Sequence, residues 1–420
     1  RATVIFKSLN YKGETVALNL SAADSALKED YQPAIREQLN QEIMMLNQIE
    51  QNTRDVEGRR AVLSIHTGRN SGVGARAEGG TLPTAGSQQY KEERVTLKYN
   101  YGRIKVTGPV IRAMKSDSGS FVRAIESEVS GVVMDLKRDV NRQIFNDSNG
   151  AIAQCASESA KVYTLTTPTA TQLRQLEVGS VVDVGTVTNP TLRVSAGTVS
   201  SVNTTLGTVT LDKDPATGSV DASDFIFRSG AKNTTSGATN ELIGLQAIVN
   251  NSGTLYNIDP TVVTLWKSTV NANGGTNRAA TDNLFETVID DIGLESGTSP
   301  NFIVTTVGVR RNYASQLKAQ KRFTDTTTLK GGFSALTVDA GNVSLPLATD
   351  RDCPNNKAFL LNTAHVMQHA SSDWEFMDED GSVLSRVSGE DAYEAVLFKY
   401  HELTTDRRNV HGRIDDLSES

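Results

Sequence analysis

Cysteine is scarce: Cys155 and Cys353 are the only two in 420 residues, they lie far apart, and they form no metal-ligand spacing. Their pattern fits two buried free thiols in a protein folding in a reducing cytosol, with one bridge between them as the alternative. Aromatic residues make up 6% and hydrophobic residues 38%, which is lean for a compact enzyme of this length. Such a chain is expected to hold much of its length in extended, half-buried structure. No apolar run approaches the roughly 18 residues that span a bilayer, so a soluble protein with no membrane partner is expected. The opening RATVIFKSLN has no apolar core ahead of a small-residue cleavage site, so no signal peptide is read there. It also has no Met, which fits either removal of an N-terminal piece or a sequence that starts inside a longer one.

The motifs of common catalytic sites are missing as well. G-x-x-x-x-G-K-[ST] does not occur, which argues against an ATP-driven motor, and neither G-x-S-x-G nor H-E-x-x-H is found. His365 and His369 stand four apart and could clasp a metal on a helix, but LLNTAHVMQH reads as extended and no third ligand is evident. DWEFMDEDGS lacks the spacing and the closing Glu of a calcium loop, and reads as a solvated acidic turn at Gly381. GVGARAEGG has no strand-to-helix context for a dinucleotide. The expectation is a non-enzyme with no catalytic, cofactor-binding or metal residues. A clustered basic stripe is also absent. The net charge is −7, and residues 371–420 alone hold 13 Asp/Glu against 5 Arg/Lys. Contact with nucleic acid should therefore be loose and independent of sequence.

What is present is an ordered series of segments. A helix is expected from Pro33, with Ile35, Leu39, Ile43, Leu46 and Ile49 on one stripe that packs either on the chain's own core or on a neighbouring copy. Two strands follow, AVLSIHTG and RVTLKYNYGRIKVTG. The second places Val95, Leu97, Tyr99 and Tyr101 on one side and switches parity at Gly102, the mark of a bulge. The Gly-rich RNSGVGARAEGGTLPTAGSQQ joins them as a mobile tip, and so long a ribbon needs a surface to lie on. Residues 116–147 carry the plainest helix pattern: Phe121, Ile125, Val129, Val132, Leu136, Val140 and Ile144 recur at steps of three and four. Such a helix of ~26 residues is ~39 Å long. Short β-rich runs fill residues 160–231 between turn signals, as in a small barrel or sandwich. Mixed α/β sequence returns over 240–350, with a helix at 282–292 stopped by Gly293, a strand FIVTTVGV and a helix RRNYASQLKAQKRF. Strands AFLLN and EAVLFKYHEL lie near the end.

This order of parts resembles the tailed-phage major capsid proteins, the HK-ninety-seven-type fold also used by encapsulin shells. GRIKVTGPVIRAMKSDSGSF, NRQIFNDSNG and PNFIVTTVGVRRNYASQLKAQKRF are the stretches most similar to family sequence. The resemblance implies an α+β chain in five parts. These are an N-terminal arm (1–56), an extended β-hairpin loop (57–112), a peripheral domain with a spine helix (113–159 and 351–420), an inserted β domain (160–231) and an axial domain (232–350). It implies self-assembly through hexamers and pentamers into an icosahedral head around double-stranded DNA, contacted without sequence preference. Portal, scaffolding, protease and decoration proteins are implied as partners. The implied locations are the host bacterial cytoplasm for assembly and the virion capsid at the end. Some relatives join a ribbon Lys to a neighbour's Asn; Lys91, Lys98 and Lys105 are available, but no matching Asn or Glu is placed. An encapsulin-like compartment is the nearest alternative, and a hydrolase or adhesin with a β module the more distant one.

Overall fold

The computed structural model describes residues 43–109, 118–189, 191–319, 326–328, 334–340, 343–378 and 383–419. The start of the helix expected from Pro33 therefore lies outside the described residues. Met44–Gln48 is helical, Ile43 is buried, and Met44, Met45 and Ile49 are buried in the main core, so this end of the stripe packs on its own chain. Residues Glu50–Asn52 then run parallel to strand Val366–Ala370.

The long helix spans Ser118–Ile144. Val129, Val133, Leu136, Val140 and Ile144 are buried along it, and Val132 packs at their margin. The helix lies on a six-stranded sheet organised about the 14-residue strand Ala392–Thr405. On one side this strand pairs with Lys98–Thr107, from Thr107 opposite Ala392 to Lys98 opposite His401. At about 1.5–3 kcal/mol for each fully buried aliphatic side chain, the helix stripe alone outweighs any single polar contact nearby.

Two details of the sequence reading change here. The parity switch falls at Leu97, not Gly102. The run 94–108 is two strands: Gln89–Thr96 belongs to the ribbon, whereas Lys98–Thr107 belongs to the central sheet. Across that junction Val95 and Leu97 stay buried while Tyr99 and Tyr101 turn outward and Asn100 turns in. Gly102 is no bulge. A Cβ there would stand 2.5 Å from Leu136 Cδ1 and 2.6 Å from Val132 Cγ1, so glycine is what lets helix and sheet approach closely.

The β-rich segment closes into a six-stranded barrel that begins at Ala151–Ser159, earlier than the expected 160. One barrel strand, Leu192–Asn203, is bent where Ala196 takes a φ of 49°. Tyr163, Val182, Val184, Val199, Val209 and Ile226 fill the interior. The short helix Ala170–Gln175 plugs Leu173 into that core, started by a capping box between Thr169 and Gln172.

A seven-stranded sheet makes the third body, with strand order Thr269–Asn271, Gly412–Ile414, Ala358–Leu361, Phe302–Thr305, Val343–Thr349, Ser334–Ala340 and Thr326–Thr328. Helix Asp282–Ser296 runs past Gly293 and stops at Gly297, which holds the left-handed φ of 72° that a C-cap requires. FIVTTVGV divides: Phe302–Thr305 is strand, and Val307 already starts the helix Val307–Ala319. LLNTAHVMQH is strand on either side of one 3-10 turn, Thr363–His365. Among the described residues no helix is long and apolar enough to cross a membrane.

Candidate assembly surfaces

The ribbon strands Arg60–Gly68 and Gln89–Thr96 pair from Arg60 opposite Thr96 out to Gly68 opposite Gln89. At their root Ala61, Leu63, Ile65 and Val95 are buried within the main core, so the chain itself covers the apolar face there. Residues 69–88 beyond the root have no regular structure and are nearly all exposed; Val73 is 84% and Leu82 81% exposed. The two limbs touch where Gly72 meets Gly86: a Cβ on Gly86 would come within 3.0 Å of Gly72 N. Local bonds shape the tip, with Gly72 N donating to Asn70 Oδ1 at 2.7 Å and Arg76 Nε to Thr81 O at 3.0 Å.

Beside the ribbon, the central sheet has one face on the long helix and the other open. Cross-strand register places Tyr99 opposite Tyr400 and Tyr101 opposite Phe398 on the open face. Tyr99 meets Tyr400 edge-on at 4.9 Å between centroids, and Phe398 meets Tyr400 at 4.9 Å. Tyr99 is 46% and Tyr101 52% exposed. Partial burial and a hydrogen bond to Tyr400 push the Tyr101 phenol up to about 12. Farther along the same face Arg103 Nε donates to Glu394 at 2.7 Å, and Lys105 pairs with Glu390. An aromatic quartet bordered by ion pairs is apolar enough to bury and polar enough to tolerate water while uncovered.

On the helix side the same strands carry a buried polar chain. Gln143 donates to Asn100 Oδ1 at 3.0 Å, and His401 lies between Asn100 at 2.9 Å and Gln368 at 2.6 Å. Lys399 Nζ donates to Gln51 at 2.8 Å and Gln368 at 3.1 Å. Desolvation lowers Lys399 to about 8 and holds His401 well below its ordinary value. The limb leaving the barrel is fastened here too. Lys98 donates to Thr239 O at 2.6 Å, Arg142 Nη1 to Glu241 at 3.1 Å, Leu242 N to Gln143 at 3.2 Å, and Ile243 N to Glu402 at 2.7 Å. Burial alone would raise Asp139, but the Arg142 and Arg228 guanidiniums outweigh it and hold that carboxyl below its usual range. Strand Lys98–Thr107, the long helix, the barrel exit and the central strand thus share one buried network.

Comparison with known proteins bears on what such a body does. Residues 223–418 match the family model described as SU10 major capsid protein. The capsid asymmetric unit of cyanophage A-1(L) is similar over 88% of this chain and 90% of its own, at 12% identity and a TM-score of 0.51. The fold is that of the cyanophage A-1(L) capsid. Weaker likenesses extend to the SrpI encapsulin complex of Synechococcus elongatus, at 9% identity, 89% and 86% coverage and a TM-score of 0.45. The capsid of a native GTA particle follows at 8% identity, 88% coverage of both chains and a TM-score of 0.44. Among curated proteins none matches.

Within this capsid fold the residues singled out by sequence fall in separate places. His365 Nδ1 lies 2.9 Å from Asp406, and His369 Nδ1 lies 2.6 Å from Thr404 Oγ1 inside the sheet. Cys155 is buried in the barrel core and Cys353 in the main core, both as free thiols. Of the ribbon lysines, Lys91 is exposed, Lys98 is bonded to Thr239 and Lys105 is paired with Glu390. GVGARAEGG lies in the exposed tip, and part of DWEFMDEDGS falls outside the described residues. Sequence reading missed the aromatic quartet. Tyr99 and Tyr101 look core-directed within one continuous strand, and only their pairing with Phe398 and Tyr400 puts them on the open face.

Proposed function

We propose that this chain is the major capsid protein of a tailed phage, a structural, non-catalytic subunit whose copies form the icosahedral head around double-stranded DNA. The observation that carries this reading is the joint presence of a capsid fold, an exposed ribbon tip and an uncovered aromatic sheet face on one subunit. Hexamers and pentamers would place the tip of one copy across its neighbour. Many such contacts, each gaining about 25 cal/mol per Å² of apolar area, become hard to reverse when all must break together. The parts then take these roles: the ribbon, residues 57–97, is the extended loop, the long helix the spine of a peripheral domain, 232–350 the axial domain and the barrel an insertion. Portal, scaffolding, protease and decoration proteins are the partners such a head would meet, in the bacterial cytoplasm during assembly.

The match of residues 223–418 to a phage capsid family favours this over an encapsulin-like compartment. Negative-stain imaging of the expressed chain tests the reading, with closed shells or capsomer rings expected. Nucleic acid inside purified particles supports the phage head, and protein cargo without it supports the compartment. Deleting residues 69–88 should abolish or misdirect assembly and leave a folded subunit. Normal shells from that deletion would refute the role given to the tip.

A further inference from the structure

We propose that the outer face of helix Val307–Ala319 is the surface that meets the phosphate backbone of enclosed DNA, an inference that rests on the capsid reading above. No basic stripe stands out along the chain as a whole, but residues 296–324 contain no Asp or Glu and carry Arg310, Arg311, Lys318, Lys321 and Arg322, in a chain whose net charge is −7. The helix turns Val309, Asn312, Tyr313 and Leu317 inward, whereas Val307, Arg311, Ser315 and Lys318 are exposed along the opposite face. Among the described residues no carboxylate pairs with Arg310, Arg311 or Lys318. This contrasts with Arg103 and Glu394, Arg193 and Asp224, or Arg351 and Glu177, where cation and carboxylate are matched.

The helix N-terminus does not supply the site, because a carboxylate already occupies it. Thr306 Oγ1 donates to Glu419 at 2.8 Å, and Glu419 Oε2 lies against Gly308. The side-chain face is what remains. Arg311 and Lys318 are seven residues, or about 10 Å, apart along the axis, so both act on one short stretch of polyanion. Duplex DNA offers one charge per ~1.7 Å of axis, which makes contact possible at any register. Ala314 and Ser315 between the cations leave room for a backbone to approach. No aromatic side chain stands on this exposed stripe, so the contact reads charge and not sequence.

The test is fluorescence anisotropy of a 20-base-pair duplex titrated with the full chain between about 50 and 200 mM salt. Arg311→Glu with Lys318→Glu should weaken binding and lower the log–log salt slope by about 2, at about 0.9 for each lost phosphate contact. Between those salt concentrations the wild-type chain should lose about twelvefold more affinity than the variant. Arg311→Gln with Lys318→Gln should move in the same direction if the reversal fails to fold. Lys161→Glu with Lys213→Glu on the barrel supplies an equal charge change elsewhere and should leave the slope alone. Unchanged binding in both helix variants, an equal loss from the barrel pair, or no duplex binding by the wild-type chain at the lowest salt would each overturn the proposal. Electron microscopy of the same samples reports on shell formation separately: intact shells with an unaltered slope would reject the helix face and keep the capsid reading.

Discussion

Replacing Glu402 by Gln should remove a large part of the pH dependence of stability on the alkaline side. Glu402 is fully buried in the central strand; Oε1 accepts Ile243 N at 2.7 Å and Leu403 N at 3.0 Å, while Oε2 has no partner among the described residues. Desolvation raises its carboxyl to about 8. An unfolded Glu titrates near 4.3, so between those two values the folded chain holds a proton that the unfolded chain has released. The stabilisation is complete below the unfolded value, falls as pH rises and is gone above about 8. His401 and His411, both lowered by burial, act in the opposite sense only up to about pH 6.5, the ordinary histidine value. The window from 6.5 to 8 is therefore where Glu402 stands out. At 1.36 kcal/mol per pH unit the wild-type chain should lose about 2 kcal/mol there. The amide keeps an acceptor for both backbone N–H groups and cannot ionise, so Glu402→Gln should hold its stability across the window. Urea unfolding followed by tryptophan fluorescence reads this directly, because Trp266 and Trp374 lie in the main core. Parallel pH profiles for the two proteins would refute the reasoning.

Other perturbations have equally definite outcomes. Gly102→Val drives a branched side chain into Leu136 and Val132 and should cost about 1–3 kcal/mol of stability, seen as a lower melting temperature. Arg142→Met leaves Glu241 buried without its partner and should destabilise the subunit by about 3–5 kcal/mol, measured by urea denaturation. The thiols of Cys155 and Cys353, both raised by burial and the former to about 12, should resist alkylation at pH 8 in the native chain and react in denaturant.

Local pattern was enough to determine much of this protein. The stripe Val129 to Ile144 has one helical solution, the barrel strands announce themselves by β-branched runs between turns, and the order of segments points to a capsid fold. Those signals depend on neighbours within one or two turns of chain, which sequence displays directly. Register was another matter. That Leu97 ends the ribbon and that Tyr99 and Tyr101 face outward depend on pairing with residues some 300 positions away, and that Gly102 is a contact point and not a bulge depends on Leu136 and Val132 of the long helix. The buried chain through Asn100, Gln143, His401 and Lys399 joins three distant segments, and each of its members reads alone as an ordinary polar position. Burial and pairing across such separations are products of the folded topology, and only the tertiary structure decided them.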